Sequence, residues 1–151
     1  EIFWNGNNIK KNPYDLYKSL TFIMDRETSN KYLTLYENIL FWCNLFSSKI
    51  SIKEIDSALE LLSLHKYKNT FVNNLSYGET KKLELSRLII EQKILWILDE
   101  PYIGLDKLSA ELMNQTFINH AALGGMIIFT SHTTPEINGL SQLNLSPKND
   151  E

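Results

Sequence analysis

Two hydrophobic patterns alternate along this chain. Between residues 34 and 91 apolar positions recur every three or four residues, which predicts amphipathic helices. Thr34-Leu35-Tyr36-Glu37 and Ser51-Ile52-Lys53-Glu54 each place a hydroxyl three residues before a glutamate. That is capping-box spacing, so helices open there, the second carrying Ile55, Leu59 and Leu62 on one face. A third helix is predicted over about 79–91, with Leu85, Leu88 and Ile89 facing inward. From residue 94 the pattern changes to unbroken apolar runs at 94–98 and 126–130, expected as strands covered on both faces of a parallel sheet. A helix over 107–122, stopped by Gly124-Gly125, lies between them and makes a βαβ crossover. Shorter strands are expected at 1–4, closed by the Asn5-Gly6-Asn7-Asn8 turn signal, and at 20–24, with a last edge strand at 142–145 and a frayed polar tail over 147–151.

Composition narrows the class. With 43% hydrophobic and 22% charged residues over 151 positions, the chain supports a single buried core and is not expected to be disordered. The apolar runs fall far short of the roughly 18 to 20 residues of a membrane span, so a soluble domain is expected. A net charge of −3 argues against non-specific nucleic-acid binding. Cys43 stands alone, which excludes an internal disulfide and a cysteine-based metal cluster, and its apolar neighbours predict a buried, inert thiol. The aromatic run Tyr36, Phe41, Trp42, Phe46 reads equally as core or as a docking groove, and Lys81, Lys82 and Arg87 read as the solvated side of their helix.

Candidate chemistry gathers at strand ends. Ligands of parallel sheets collect at the carboxyl edge, where one strand runs into Asp99-Glu100-Pro101 and the next into Ser131-His132. If those strands are neighbours, two acids and an imidazole meet and can hold a hydrated Mg²⁺ and activate water. The pair also reads as a solvated strand terminus, and His132 as an ordinary exposed histidine. Earlier, Ser76-Tyr77-Gly78-Glu79 precedes a helix, whose unpaired N–H groups make an anion site; an ordinary serine N-cap is the alternative.

Taken together and in order, these segments resemble the ABC ATPases. Leu75-Ser76-Tyr77-Gly78-Glu79 is similar to the family's signature, the 94–101 segment to its Walker B strand and catalytic glutamate, and Gly104-Leu105-Asp106 to its D-loop. His132 falls where the switch histidine falls. The 95–101 and 124–132 segments, with Leu33-Thr34, Glu37-Asn38-Ile39 and Phe41-Trp42, resemble the haem-exporter ATPases of cytochrome c maturation. The resemblance implies an α/β fold, a partial P-loop NTPase with a parallel sheet core (1–33 and 92–146) and an inserted helical subdomain (34–91), all within one domain over 1–151. It implies ATP and Mg²⁺, a second ATPase subunit as homodimer partner, integral membrane transporter subunits, and a place on the cytoplasmic face of a bacterial inner membrane or the matrix face of a mitochondrial one. By position, Ser76, Gly78 and Glu79 would meet the nucleotide of the opposite subunit, and Asp99 would organise Mg²⁺ through water. Glu100 would activate the attacking water, His132 would orient it, and Asp106 would couple the two sites.

The chain also departs from the family pattern. Its six glycines, at 6, 78, 104, 124, 125 and 139, supply no Gly-x-x-x-x-Gly-Lys-Ser/Thr loop. Because residues 1–6 resemble the strand that follows that loop, and the chain opens on Glu rather than Met, the loop is expected to precede Glu1, and this stretch alone is expected to be inactive. Asp25-Arg26-Glu27 stands where the family carries the Q-loop glutamine, Tyr77 replaces a small residue, and Glu79 replaces a glutamine. These departures also fit a degenerate module that pairs with a catalytic partner and does no chemistry itself. DNA-repair or translation-type ATPases share the signature, but the acidic balance disfavours them.

Overall fold

A computed structural model of the chain describes residues 1–46, 49–132, 135 and 137–143. Strands β1 (Phe3–Trp4) and β2 (Asn7–Asn8) form a small antiparallel hairpin. Its turn is Asn5-Gly6, both at positive φ, the backbone that the two-residue turn of a right-twisted hairpin requires. Asn7 and Asn8 therefore belong to a strand rather than to the turn. A short helix α1 (Tyr14–Ser19), which hydrophobic spacing did not predict, starts just after Pro13 and leads into β3 (Leu20–Ile23). It buries none of its residues, so it carries no apolar stripe to read.

The three longer helices begin where hydroxyl–glutamate spacing places them. Thr34 caps α2 (Leu35–Leu45), Ser51 caps α3 (Ile52–Leu61) and Ser76 caps α4 (Tyr77–Ile90), each with a complete capping box. The third box starts α4 two residues before the position that periodicity alone indicated. Helices α2, α3 and α4 enclose one core built on Leu35, Ile39, Trp42, Leu59 and Leu83. Trp42 is buried and Tyr36 and Phe46 pack against this core, while Phe41 is exposed, so the aromatic run divides between core and surface.

Strand β4 (Leu95–Leu98) runs parallel between β3 and β5 (Met126–Phe129), with α5 (Lys107–Ala122) as the crossover. Register puts Thr21, Trp96 and Ile127 in one row and Ile23, Leu98 and Phe129 in the next. These rows face a second core containing Leu85 and Leu88 of α4 and Met113 and Phe117 of α5. The opposite face is different: Phe22, Met126 and Ile128 are 46%, 42% and 60% exposed. The expectation of burial on both faces thus holds for most of β4, which is central and where only Ile97 is half-buried, and fails for β5, an edge strand covered by a helix on one side only among the described residues. Gln142 and Leu143 form no strand, and the rest of that expected strand, with the tail, lies outside the described residues.

The capping bonds carry a pH signature. Thr34 N–H and hydroxyl hold Glu37 below the usual carboxylate range, and Ser51 does the same for Glu54. The Tyr67 hydroxyl and Ser76 N–H act likewise on Glu79. A folded-state pKa below the unfolded value gives stability that is complete above the unfolded pKa and lost as pH falls through the folded one. Resistance to urea should accordingly hold down to about pH 5 and fall below about pH 4. In a Glu37→Gln/Glu54→Gln double variant the acid-side fall should be shallower, as followed by circular dichroism. An unchanged slope would show that the boxes contribute nothing to it.

Candidate active site

The carboxyl edge of the sheet brings the expected acids and imidazole together. Parallel register aligns Leu98 with Phe129, so Asp99 and Thr130 leave their strands side by side. The Thr130 hydroxyl donates to Asp99 Oδ1 at 2.7 Å and accepts from the Glu100 N–H at 3.1 Å. One hydroxyl thereby holds the Asp99 carboxylate and the Glu100 backbone. His132 lies across the gap, its backbone N–H 3.4 Å from Glu100 Oε2 and its Nε2 3.6 Å from Glu100 Oε1. The imidazole is exposed while the Glu100 carboxylate is mostly shielded, so the pair presents a solvent-facing ring on an anchored acid. Glu100 adopts φ 47°, the left-handed region that a side-chain-bearing residue enters at a cost of roughly 1–2 kcal/mol. Thr130 was legible only through the register: a threonine one step past an apolar strand, opposite the first acid.

The signature-like turn sits at the head of α4. Ser76 is exposed, its oxygen accepting from the Glu79 N–H at 3.3 Å, while Glu79 Oε2 takes the Ser76 N–H at 2.7 Å. The capping reading of Ser76 is therefore realised, and Glu79 is its partner. Ser76-x-x-Glu79 has the same spacing as the two boxes before it, which is the signal that finds it. A methyl group at Gly78 would lie 2.9 Å from the Gly104 carbonyl oxygen, so this turn approaches the 104–106 loop backbone to backbone. Tyr77 lays its ring over Gly104, where a Cβ would fall 2.3 Å from Cε1. Asp106 caps α5, accepting from the Ser109 N–H at 2.8 Å, a bond that lowers its pKa; Lys82 Nζ stands 4.0 Å from its other oxygen.

Lys81 and Arg87 are not on a solvated face, because α4 lies between the helical core and the sheet. Arg87 is buried, donates to Glu91 at 2.6 Å and rests over the rings of Trp42 and Phe46. Glu84 accepts from the Thr28 N–H and hydroxyl and from the Ser29 N–H at 2.6 to 2.8 Å, fastening the segment after β3. Glu91 takes the Thr21 hydroxyl at 2.8 Å. Lys81 is only 4% exposed and its Nζ has no hydrogen-bond partner among the described residues. Burial pushes its ammonium below the ordinary lysine range, against the pull of Asp25, Glu84, Asp99 and Glu100. Helical spacing hides this, since a charged stripe reads as solvent-facing until its neighbours are known. Cys43 is half-buried, and burial raises its thiol pKa, in keeping with an inert group.

Known proteins resemble the chain in sequence and in fold. The chain is 33% identical over 132 residues to the cytochrome c biogenesis ATP-binding export protein CcmA of Yersinia pseudotuberculosis, covering 87% of this chain and 60% of that protein. It is 36% identical over 136 residues to the CcmA of Reclinomonas americana, covering 88% and 60%. The chain thus spans about 60% of the length of these curated relatives. Among solved structures, a putative ABC transporter ATP-binding protein from Pyrococcus furiosus superposes with a TM-score of 0.74 at 20% identity, covering 91% of this chain and 66% of that one. The ATP-binding subunit of another ABC transporter gives 0.70 at 21% identity, covering 85% and 55%. These likenesses fix the fold as that of an ABC ATPase domain, a partial P-loop NTPase fold. The ABC transporter family model matches residues 1–103. With two thirds of its length matched in this way, the chain belongs to the ABC transporter family.

Proposed function

We propose that this chain is part of an ATP-hydrolysing subunit of an ABC transporter of the haem-export type, working as a pair with a second copy against membrane-spanning partners. The observation that carries the reading is the Asp99–Thr130–Glu100–His132 constellation, in which one hydroxyl holds the Asp99 carboxylate and the Glu100 backbone, with the Glu100 carboxylate beside an imidazole. The names of the CcmA relatives, cytochrome c biogenesis ATP-binding export proteins, support an export function in cytochrome c biogenesis; haem as cargo, and a place on the cytoplasmic face of a bacterial inner membrane or the matrix face of a mitochondrial one, are part of the proposal. In this reading residues 1–33 and 92–146 are the nucleotide-facing core and 34–91 the subdomain that meets the membrane partner.

Each residue has a task set by its surroundings. Glu100, anchored and aimed across the edge, accepts a proton from the attacking water, and His132 orients that water against the γ-phosphate. Ser76 and Gly78 meet the phosphates of the nucleotide held by the opposite copy, and Glu79 sets the serine's orientation through its capping bonds. Asp106, tied to α4 through Lys82, couples the two sites. The donor set fits a cation that keeps most of its water: Asp99 is an exposed carboxylate, and among the described residues no three His, Cys, Asp or Glu side chains enclose a metal. Asp99 would hold the magnesium, which supplies neutralisation of phosphate charge. Positioning and charge stabilisation then do most of the catalysis. No helix among the described residues is long and apolar enough to cross a membrane, so the membrane-spanning part falls to the partners in this reading.

In the whole protein, Glu100→Gln should lower ATP turnover at least about 100-fold while ATP binding persists. Normal turnover would remove Glu100 from its role. The left-handed backbone at Glu100 gives a second test. Glu100→Gly should raise stability by about 1 kcal/mol in urea unfolding, because glycine relieves the strain. Glu100→Gln should leave stability unchanged, since it keeps the strain. Equal stability in the two variants would mean that the backbone relaxes without help.

A further inference from the structure

Strand β4 leaves the sheet on a side-chain bond. Along the ladder to β5 its even-numbered residues supply the bonds: the Ile94 carbonyl accepts from the Met126 N–H at 2.8 Å, and the Leu98 carbonyl from the Thr130 N–H at 3.0 Å. The Asp99 N–H turns the other way, to the Ile23 carbonyl of β3 at 2.9 Å. The next rung toward β5 would carry the Glu100 N–H to the Thr130 carbonyl. The Thr130 hydroxyl takes that N–H instead, at 3.1 Å, and gives its own proton to Asp99 Oδ1 at 2.7 Å. At this step the backbone passes into the left-handed region at Glu100. The Glu100 carboxylate then returns to the chain that follows β5, with Oε2 3.4 Å from the N–H of His132, two residues past Thr130.

We propose that Thr130 is a positioning residue for the hydrolysis, its hydroxyl holding the left-handed turn that aims the Glu100 carboxylate at His132. A backbone N–H only donates and an ionised carboxylate only accepts, so the group that joins the Glu100 N–H to Asp99 must do both, as a hydroxyl does. The left-handed turn is disfavoured in itself and persists because its surroundings hold it. Valine at this place would keep the branched shape and lose both bonds. Serine would keep both bonds and lose only the methyl group. The role rests on the water-activating task proposed for Glu100, and Thr130 acts through that residue rather than on the nucleotide.

ATP turnover by the whole protein separates this role from plain strand packing. Thr130→Val should lower kcat about tenfold, while Thr130→Ser should keep most of the turnover. Packing alone predicts the reverse order, since valine suits a strand end better than serine does. Thr130→Ala, which differs from the serine variant only by the hydroxyl, carries the expectation of the valine variant should that one fail to fold. A second readout needs no hydrolysis. Hydrogen exchange at the Glu100 amide, followed by nuclear magnetic resonance on the whole protein, should quicken about tenfold in the valine variant and hold in the serine variant. Turnover in the valine variant equal to that of the serine variant overturns the proposal, as does an unchanged Glu100 amide. An unaltered protein that hydrolyses no ATP sinks the ATPase reading, whereas an active one whose valine variant is equally active sinks only the role of Thr130.

Discussion

From Thr80 onward every residue of helix α4 is buried or half-buried, and the rest of the molecule is arranged around that constraint. Leu83 and Ile90 belong to the helical core, while Leu85 and Leu88 belong to the core against the sheet. Little of this stretch is left to water, so most of its polar residues find partners inside. Arg87 does so with Glu91 and two aromatic faces, and Glu91 with Thr21 of β3. Such a network adds little net stability, but removing one member leaves an uncompensated buried charge and costs several kcal/mol. Its worth lies in specificity of position. With Glu84 holding Thr28 and Ser29, the segment after β3 is tied to the helix that bears the signature-like turn.

Both halves of the candidate site depend on this arrangement. The sheet edge takes its order from β4, pinned between two parallel neighbours, and the signature-like turn takes its order from the head of α4. The two meet where Gly78 passes close to the Gly104 carbonyl and Tyr77 covers Gly104. A residue larger than glycine at either position would have to displace backbone or an aromatic ring. A rotation of α4 would therefore carry the segment after β3 and the 104–106 loop with it.

Much of this was legible in the sequence, for identifiable reasons. Capping boxes at Thr34 and Ser51 are local chemistry and need no tertiary information, and the apolar runs at 94–98 and 126–130 are too short and too continuous for surface helices. The crossover through α5 then required β4 and β5 to lie parallel, which put Asp99, Glu100 and His132 at one edge. What stayed hidden depends on which element lies against which. Lys81 and Arg87 occupy positions that would be solvated on a two-sided helix and are buried because α4 has two cores. Met126 and Ile128 look like core residues and are exposed, because the sheet has helices on one side there. Helix α1 has no apolar stripe, so no pattern could announce it.

The capping box at Ser76 places a stability device at the helix terminus to which the proposed function gives ligand binding. The first turn of a helix leaves four N–H groups without intrahelical partners. Ser76 and Glu79 satisfy each other, which fixes the serine outside the helix with its hydroxyl exposed and its backbone extended. The N–H groups of Tyr77 and Gly78 lie between them in the same first turn, and in the proposed function they are the ones that would meet an anion. A carboxylate beside an anion site looks like a defect, since like charges repel. Its charge, however, is bound down by the Ser76 N–H and the Tyr67 hydroxyl, which shields it more than an exposed glutamate would be. The residue pair that makes the helix start is thus the pair that leaves the terminus to Tyr77 and Gly78, the latter without a side chain.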